Sequence, residues 1–237
     1  PFFGASIEYL LKDYGINYTP NLLQPDWSRY LPLPIGLSAA DRINAVSNTY
    51  AQEILTPEFG CGMEGYLQSI QGKITGIING IDYAQWDPAT DELITANYSS
   101  TSLADKQKNK SALLDMLGFD QSSLDKPLLA IIGRLDYQKG IDIAISGLLS
   151  AINLPWNLVI LGTGSSQLEH EIKDFASAYP DRVRAVLKFD VPLSHNIYAG
   201  ADMLLMPSRY EPCGLAQLIA MKYGTLPVAR SAGGLKD

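Results

Sequence analysis

From residue 127 onward, short and wholly apolar runs alternate with helical patterns, and this alternation constrains the fold more than any other feature. The runs are Leu128–Ile132, Leu158–Leu161, Val183–Leu187, Met203–Met206 and Leu226–Val228, with helical patterns near 140–152, 166–178, 193–199 and 214–222. Strand, helix, strand at this spacing predicts right-handed βαβ units and an open parallel sheet. Because the runs are continuously apolar rather than alternating, their strands should be covered by helices on both faces. The predicted class is therefore α/β, a parallel sheet with helices on both faces.

The chain before residue 127 is less regular. Pro20, Pro25, Pro32 and Pro34 break any long helix in the first 38 residues, which read as loops and short helices. Residues 39–47 read as a helix end running into a strand. Thr49 and Gln52 have capping-box spacing, which predicts a helix from near Tyr50. A second apolar run, Ile74–Ile78, closes on the turn signal Asn79-Gly80. Residues 82–108 are polar and read as a connector, overlapped by a helix from Leu103 to Leu117 that ends at Gly118. The start, Pro1-Phe2-Phe3-Gly4, has neither an initiator Met nor a basic n-region, so the chain reads as a piece of a longer protein with no signal peptide.

Composition removes several classes of function. Apolar residues make up 46% of the 237, enough for a core and too many for general disorder. The net charge is −7, from 25 acidic against 18 basic residues, which argues against a nucleic-acid partner but leaves room for a small anionic ligand. Cys61 and Cys213 cannot form a disulfide framework, have no metal-ligand spacing and suit a reducing compartment. No apolar run reaches the roughly 18 residues of a membrane span, so no membrane partner is expected.

Open parallel sheets bind ligands at the carboxyl ends of their strands, where the strand order reverses. Arg134 follows the first regular strand and Lys139 the turn after it; two cations at a strand end suit a diphosphate, or form a surface pair with no partner. Glu211 precedes Pro212, which holds it extended at the end of the fourth strand. Gly214 then permits a close backbone approach, and a helix starting there would offer the amides of Gly214, Leu215 and Ala216 to an anion. Gly233-Gly234 is a second candidate backbone nest, and Gly162-Thr163-Gly164 is half a dinucleotide fingerprint. Phe189 could stack on a base, while His195 and His170 stand too far apart in sequence to suggest a metal pair, and His195 reads as structural.

Several segments together carry a resemblance. Asp41-Arg42-Ile43-Asn44-Ala45-Val46-Ser47, Asn79-Gly80-Ile81-Asp82, Gly133-Arg134-Leu135 with Gln138-Lys139-Gly140, Pro207-Ser208-Arg209-Tyr210-Glu211-Pro212-Cys213-Gly214-Leu215, Tyr223-Gly224-Thr225-Leu226-Pro227-Val228 and Gly233-Gly234-Leu235 resemble the bacterial glycogen synthase and plant starch synthase family. The likeness runs in order from about residue 39 to the end, and little of it falls before.

That resemblance implies a retaining glucosyltransferase of the GT-B type, with two Rossmann-like domains, ADP-glucose as donor, an α-1,4-glucan as acceptor and no metal or other cofactor. Residues 1–80 would be the tail of the N-terminal, acceptor-side domain and 81–237 most of the C-terminal, donor-binding domain. By the same resemblance Arg134 and Lys139 hold the donor diphosphate, Glu211 contacts the donor glucose, and Cys213, Gly214, Leu215 and Ala216 line the pocket. Phe189 lies beside adenine where many members have Tyr, and Gly162, Gly164, Gly233, Gly234 and Asn79 join the donor-binding set. Ala216 replaces a common Thr, and Ile219 occupies the second position of the Glu-x7-Glu pattern of related transferases. The location implied is cytoplasmic, or the plastid stroma for a plant or algal source. With the facing donor loop missing, the chain alone is expected not to transfer glucose. A second reading is a non-catalytic nucleotide-binding or glucan-associated scaffold derived from such an enzyme.

Overall fold

A computed structural model describes residues 4–237; the opening Pro1-Phe2-Phe3 lies outside them. The chain divides into two compact units, one running to Asn79 and including Lys236–Asp237, the other Gly80–Leu235. Among the described residues no helix is long and apolar enough to cross a membrane.

In the first unit, α1 (Glu8–Asp13) and α2 (Pro32–Ala39) precede β1 (Ile43–Ala45), α3 (Asn48–Glu53), α4 (Glu64–Ser69) and β2 (Ile74–Gly76). Pro32 starts α2 rather than ending a helix, because a first-turn N–H needs no intrahelical partner. Strands β1 and β2 pair in parallel, Ile43 opposite Ile74 and Ala45 opposite Gly76. Helix α3 begins at Asn48, two residues before the expected start, because its cap is Ser47 and not Thr49. The Ser47 hydroxyl accepts the Tyr50 N–H at 3.1 Å. Thr49 instead donates its N–H and hydroxyl to the Asp237 carboxylate, which holds that carboxyl below its usual range. Met63, Tyr66 and Leu67 form this unit's small core.

The second unit contains α5 (Lys106–Met116), β3 (Leu128–Ile132), α6 (Ile141–Ser150), β4 (Asn157–Leu161), α7 (Ser166–Ala178), β5 (Val183–Val186), α8 (Val191–Gly200), β6 (Met203–Met206), α9 (Ala216–Lys222) and β7 (Leu226–Ala229). All five strands run parallel in the order β5-β4-β3-β6-β7. The order reverses between β3 and β6, which makes their carboxyl ends the switch point of the sheet.

Alternate residues of each strand feed opposite cores. Leu128 and Ala130 face Leu113, Ile197, Tyr198 and Tyr223, whereas Leu129 and Ile131 face Ile141, Leu148, Ile172 and Phe175. Burying each large side chain contributes roughly 1.5–3 kcal/mol, so both helix layers are needed to hold the sheet. Helix α8 starts two residues before the expected 193. The Asp190 carboxylate accepts the Leu193 N–H at 2.9 Å, and Pro192 sits in the first turn. Helix α9 starts two residues after the expected 214: Gly214 has a φ of +76°, and Gln217 Nε2 donates to the carbonyls of Cys213 and Gly214.

Buried polar groups tie the helices to the sheet. Lys106 donates to the carbonyls of Tyr198 and Ala199 and to the Thr225 hydroxyl, closing the end of α8; burial pushes its pKa down to about 8. His195, buried as a structural histidine would be, places Nδ1 2.8 Å from Asp91 Oδ2 and stacks on Trp86 at 4.0 Å. Tyr223 donates its hydroxyl to the same Asp91 oxygen at 2.5 Å.

Candidate active site

The site is built where two loops leave the sheet at its switch point. Strand β3 exits through Gly133-Arg134-Leu135 into a tight turn over Tyr137–Lys139. Asp136 caps that turn by accepting the Lys139 N–H at 3.1 Å. Gly140 follows with a φ of +65°, and a Cβ there would lie 2.3 Å from the Pro207 carbonyl oxygen. Only glycine lets the β3 loop approach the end of β6 so closely.

Three hydrogen bonds fasten the loops together. The Arg209 N–H donates to the Gln138 carbonyl at 2.8 Å, Gln138 Nε2 to the Tyr210 carbonyl at 3.1 Å, and Arg209 Nη1 to the Tyr137 carbonyl at 2.9 Å. Arg209 also grips Asp142 at both oxygens and lies 3.7 Å above the Tyr137 ring. Its charge is thus committed to holding the loops, and the Arg209 guanidinium lowers the Asp142 pKa.

This clamp brings Lys139 to Glu211. Lys139 Nζ lies 2.5 Å from Glu211 Oε2, and the buried Ser208 hydroxyl donates to the same oxygen at 3.1 Å. Arg134 reaches outward; its side chain is 73% exposed and meets Asp136 and Gln138 only at 3.3 Å. Arg134, Lys139, Ser208 and Ala216 border one small hollow at the ends of β3 and β6. Sequence reasoning named Arg134, Lys139 and Glu211 but neither their pairing nor Ser208. The signal for Ser208 was its place in the loop motif, three residues before Glu211.

Beside the hollow opens a mainly apolar cavity of about 480 Å³. Its walls include Trp86, Ile132, Arg134, Gly162, Thr163, Phe189, Tyr198 and Ile219. Phe189 is 85% exposed, and so belongs to this cavity rather than to the core. Lys188 and Asp190, which flank Phe189 in its lining, pair at 2.7 Å, and the Lys188 hydrogen bond lowers the Asp190 pKa. Trp86 enters the cavity from the 82–108 connector, which carried no periodic pattern to reveal it.

Of the other expected donor-binding residues, Gly162 lines this cavity and Gly164, Cys213, Leu215, Gly233, Gly234 and Asn79 do not. Gly164 packs against Leu135, and its N–H donates to Glu169 Oε1 at 3.0 Å, so it does not face the cavity. Gly162 does line the cavity, yet its lack of a side chain serves packing: a Cβ would lie 1.9 Å from the Gly133 carbonyl oxygen. The nest expected at Gly233-Gly234 is filled from within, because the Gly234 N–H donates to the Glu211 carbonyl at 2.9 Å. Cys213 is buried, and its backbone packs where a Cβ of Gly234 would stand. Leu215 is exposed at the start of α9. Asn79 is exposed and belongs to the first unit, outside the unit that holds the other site residues.

Residues 119–237 match the family described as glycosyl transferases group 1, and residues 12–69 match the starch synthase catalytic domain. The second match reaches back well before residue 39, across the proline-broken stretch whose few motifs showed little likeness. The chain is 50% identical to a glycogen synthase of Thermodesulfovibrio yellowstonii, covering 85% of this chain and 40% of that protein. A glycogen synthase of Aromatoleum aromaticum is 44% identical over 96% of this chain and 44% of its own length. The chain therefore spans less than half the length of these curated relatives. A solved structure, the catalytic domain of starch synthase IV from Arabidopsis thaliana bound to ADP and acarbose, matches with a TM-score of 0.80 and 39% identity over 84% of this chain and 41% of that one. Paired with the switch-point geometry, these likenesses show that the chain belongs to the group 1 glycosyl transferases, in their glycogen and starch synthase family.

Proposed function

We propose that the protein carrying this chain transfers glucose from ADP-glucose to the non-reducing end of an α-1,4-glucan, with retention of anomeric configuration. The observation that carries this reading is the convergence of Arg134, Lys139 and Glu211 at the switch point, beside an apolar cavity walled by Phe189 and Trp86. The Arabidopsis relative with ADP and acarbose bound adds support. On this reading residues 81–237 supply the donor side, and residues 1–80 belong to the acceptor side. Two free thiols, Cys61 and Cys213, fit a reducing compartment such as a bacterial cytoplasm or a plastid stroma.

The chemistry follows from charge. As the glucose–phosphate bond breaks, positive charge grows on the sugar and negative charge on ADP. We assign stabilisation of the departing diphosphate to Arg134 and Lys139 rather than to a metal ion. Phe189 offers its ring to the base. Glu211 accepts hydroxyls of the glucose and orients it, while the glucan 4-hydroxyl attacks on the face the diphosphate leaves.

The test is a transfer assay on the full gene product with labelled ADP-glucose and a maltooligosaccharide. Label in a glucan that an exo-acting α-1,4-amylase releases as maltose is the expected result. Binding of ADP-glucose with no transfer would favour the scaffold reading.

A further inference from the structure

We infer that Ser208 is a positioning residue that fixes which oxygen of Glu211 meets the donor sugar; the inference rests on the sugar-side role proposed for Glu211. Glu211 is 6% exposed, and two donors converge on its Oε2, Lys139 Nζ at 2.5 Å and Ser208 Oγ at 3.1 Å. A carboxylate only accepts hydrogen bonds, so the Ser208 hydroxyl must point its proton at Oε2. Oε1 carries neither of these bonds, which leaves it the oxygen available to accept from a sugar hydroxyl.

The two donors differ in what they can do next. Lys139 borders the same hollow as Arg134 and is the cation that a diphosphate would draw to itself. Ser208 borders that hollow too, but it is 1% exposed, fixed at the end of β6 and uncharged, so a phosphate does not draw it away from Oε2. When a nucleotide diphosphate takes a share of the lysine, Ser208 remains as the donor that keeps Oε2 in place. Glu211 itself is anchored through its backbone, whose carbonyl accepts the Gly234 N–H. With carbonyl and Oε2 both held, rotation of the carboxylate is confined, and only Oε1 is presented. Without the Ser208 hydroxyl, ligand binding would leave a nearly buried carboxylate oxygen competing with phosphate for one lysine.

The role is therefore specific to the sugar. Removing the hydroxyl should erode recognition of glucose and spare recognition of ADP. Calorimetric titration of ADP and of ADP-glucose into the 237-residue chain, wild type and Ser208→Ala, Ser208→Thr and Glu211→Gln, reads this as the ratio of the two dissociation constants. A hydrogen bond to a charged group sets the expected scale, roughly a tenfold change in that ratio for Ser208→Ala. ADP affinity itself should stay within about twofold, and Ser208→Thr, which restores a hydroxyl, should return the wild-type ratio. A purely packing role for Ser208 would weaken both ligands together and gain nothing from threonine, which would overturn the proposal. If Ser208→Ala does not fold, Ser208→Cys keeps the volume with a weaker donor and carries the same prediction with a smaller change. A ratio lost in Glu211→Gln but intact in Ser208→Ala refutes the Ser208 role alone. A wild-type chain that binds ADP and does not distinguish ADP-glucose refutes the sugar-side role of Glu211, and this inference with it. A chain that binds neither overturns this inference, because Ser208 would then orient Glu211 toward no ligand.

Discussion

Lys139 and Glu211, 72 residues apart in sequence, form an ion pair of 2.5 Å at the point where the sheet order reverses. A lysine assigned to the phosphates and a glutamate assigned to the sugar thus satisfy one another before any ligand arrives. A ligand that draws the lysine away must compete with the glutamate, and it frees the glutamate as it does so.

Glu211→Gln should therefore tighten ADP binding to the chain. The substitution keeps the shape and removes the charge that now holds Lys139. A partly exposed pair of this kind is worth about 1 kcal/mol, so the dissociation constant for ADP should fall about fivefold and its salt dependence should steepen. Weaker ADP binding in this variant would mean that the pair does not compete with the nucleotide.

Arg134→Ala should separate function from stability. The side chain is 73% exposed and its polar contacts, to Asp136 and Gln138, are 3.3 Å long, so the melting temperature should hardly move. If Arg134 grips the diphosphate more strongly as charge develops, turnover of the full gene product should fall by roughly 30- to 1,000-fold. Unchanged turnover would remove Arg134 from the site.

The pattern of what sequence revealed has a physical cause. Strands β3 and β6 were legible to the residue, because a strand covered on both faces has no choice but a continuous apolar run. The starts of α3 and α8 lie two residues before the expected ones because a side chain decided each cap, Ser47 for α3 and Asp190 for α8. Arg134, Lys139 and Glu211 stood out because strand ends are where charge has a use. Their mutual arrangement did not, since it depends on Gly140 admitting the Pro207 carbonyl and on Arg209 turning to Asp142. Gly164 and Gly234 show the same limit: sequence shows an amide that could serve a ligand, and not the Glu169 or Glu211 oxygen bonded to it.

Alkaline unfolding should begin above pH 10. Burial raises the pKa of Tyr98, Tyr198 and Tyr223, and in Tyr223 the Asp91 carboxylate adds to the rise. A group whose folded pKa is raised lends stability that is complete below its unfolded value, about 10, and is lost as pH climbs toward the folded value. Each such tyrosine costs about 1.4 kcal/mol per pH unit in that range, so three cost about 4 kcal/mol per unit. Lys106 has the opposite sign: its pKa is lowered to about 8, so stability rises between pH 8 and about 10.5 by up to about 3 kcal/mol. Urea denaturation across this range should show a maximum near pH 10 and a steep fall beyond it. Tyrosine absorbance at 295 nm should report ionisation of these three only as the fold is lost.

Gly140→Ala should cost both the fold and the ion pair, and Gly118→Ala is its control. The two glycines share a left-handed backbone, with φ of +65° and +67°, so an alanine at either pays the conformational cost of roughly 1–2 kcal/mol. They differ in what surrounds them. A Cβ at Gly118 meets nothing within 4 Å, whereas at Gly140 it would stand 2.3 Å from the Pro207 carbonyl oxygen. Backbone cannot swing aside as a flexible side chain does, so the β3 loop must retreat from the end of β6. That movement stretches the Arg209–Gln138 and Gln138–Tyr210 hydrogen bonds and carries Lys139 away from Glu211. Gly118→Ala should lose about 1 kcal/mol and keep its ADP affinity. Gly140→Ala should lose about 3 kcal/mol or more, and should bind ADP at least tenfold more weakly even at temperatures where it is fully folded. Equal stability losses in the two variants, with ADP binding intact in both, would mean that the close approach of these loops does not build the site.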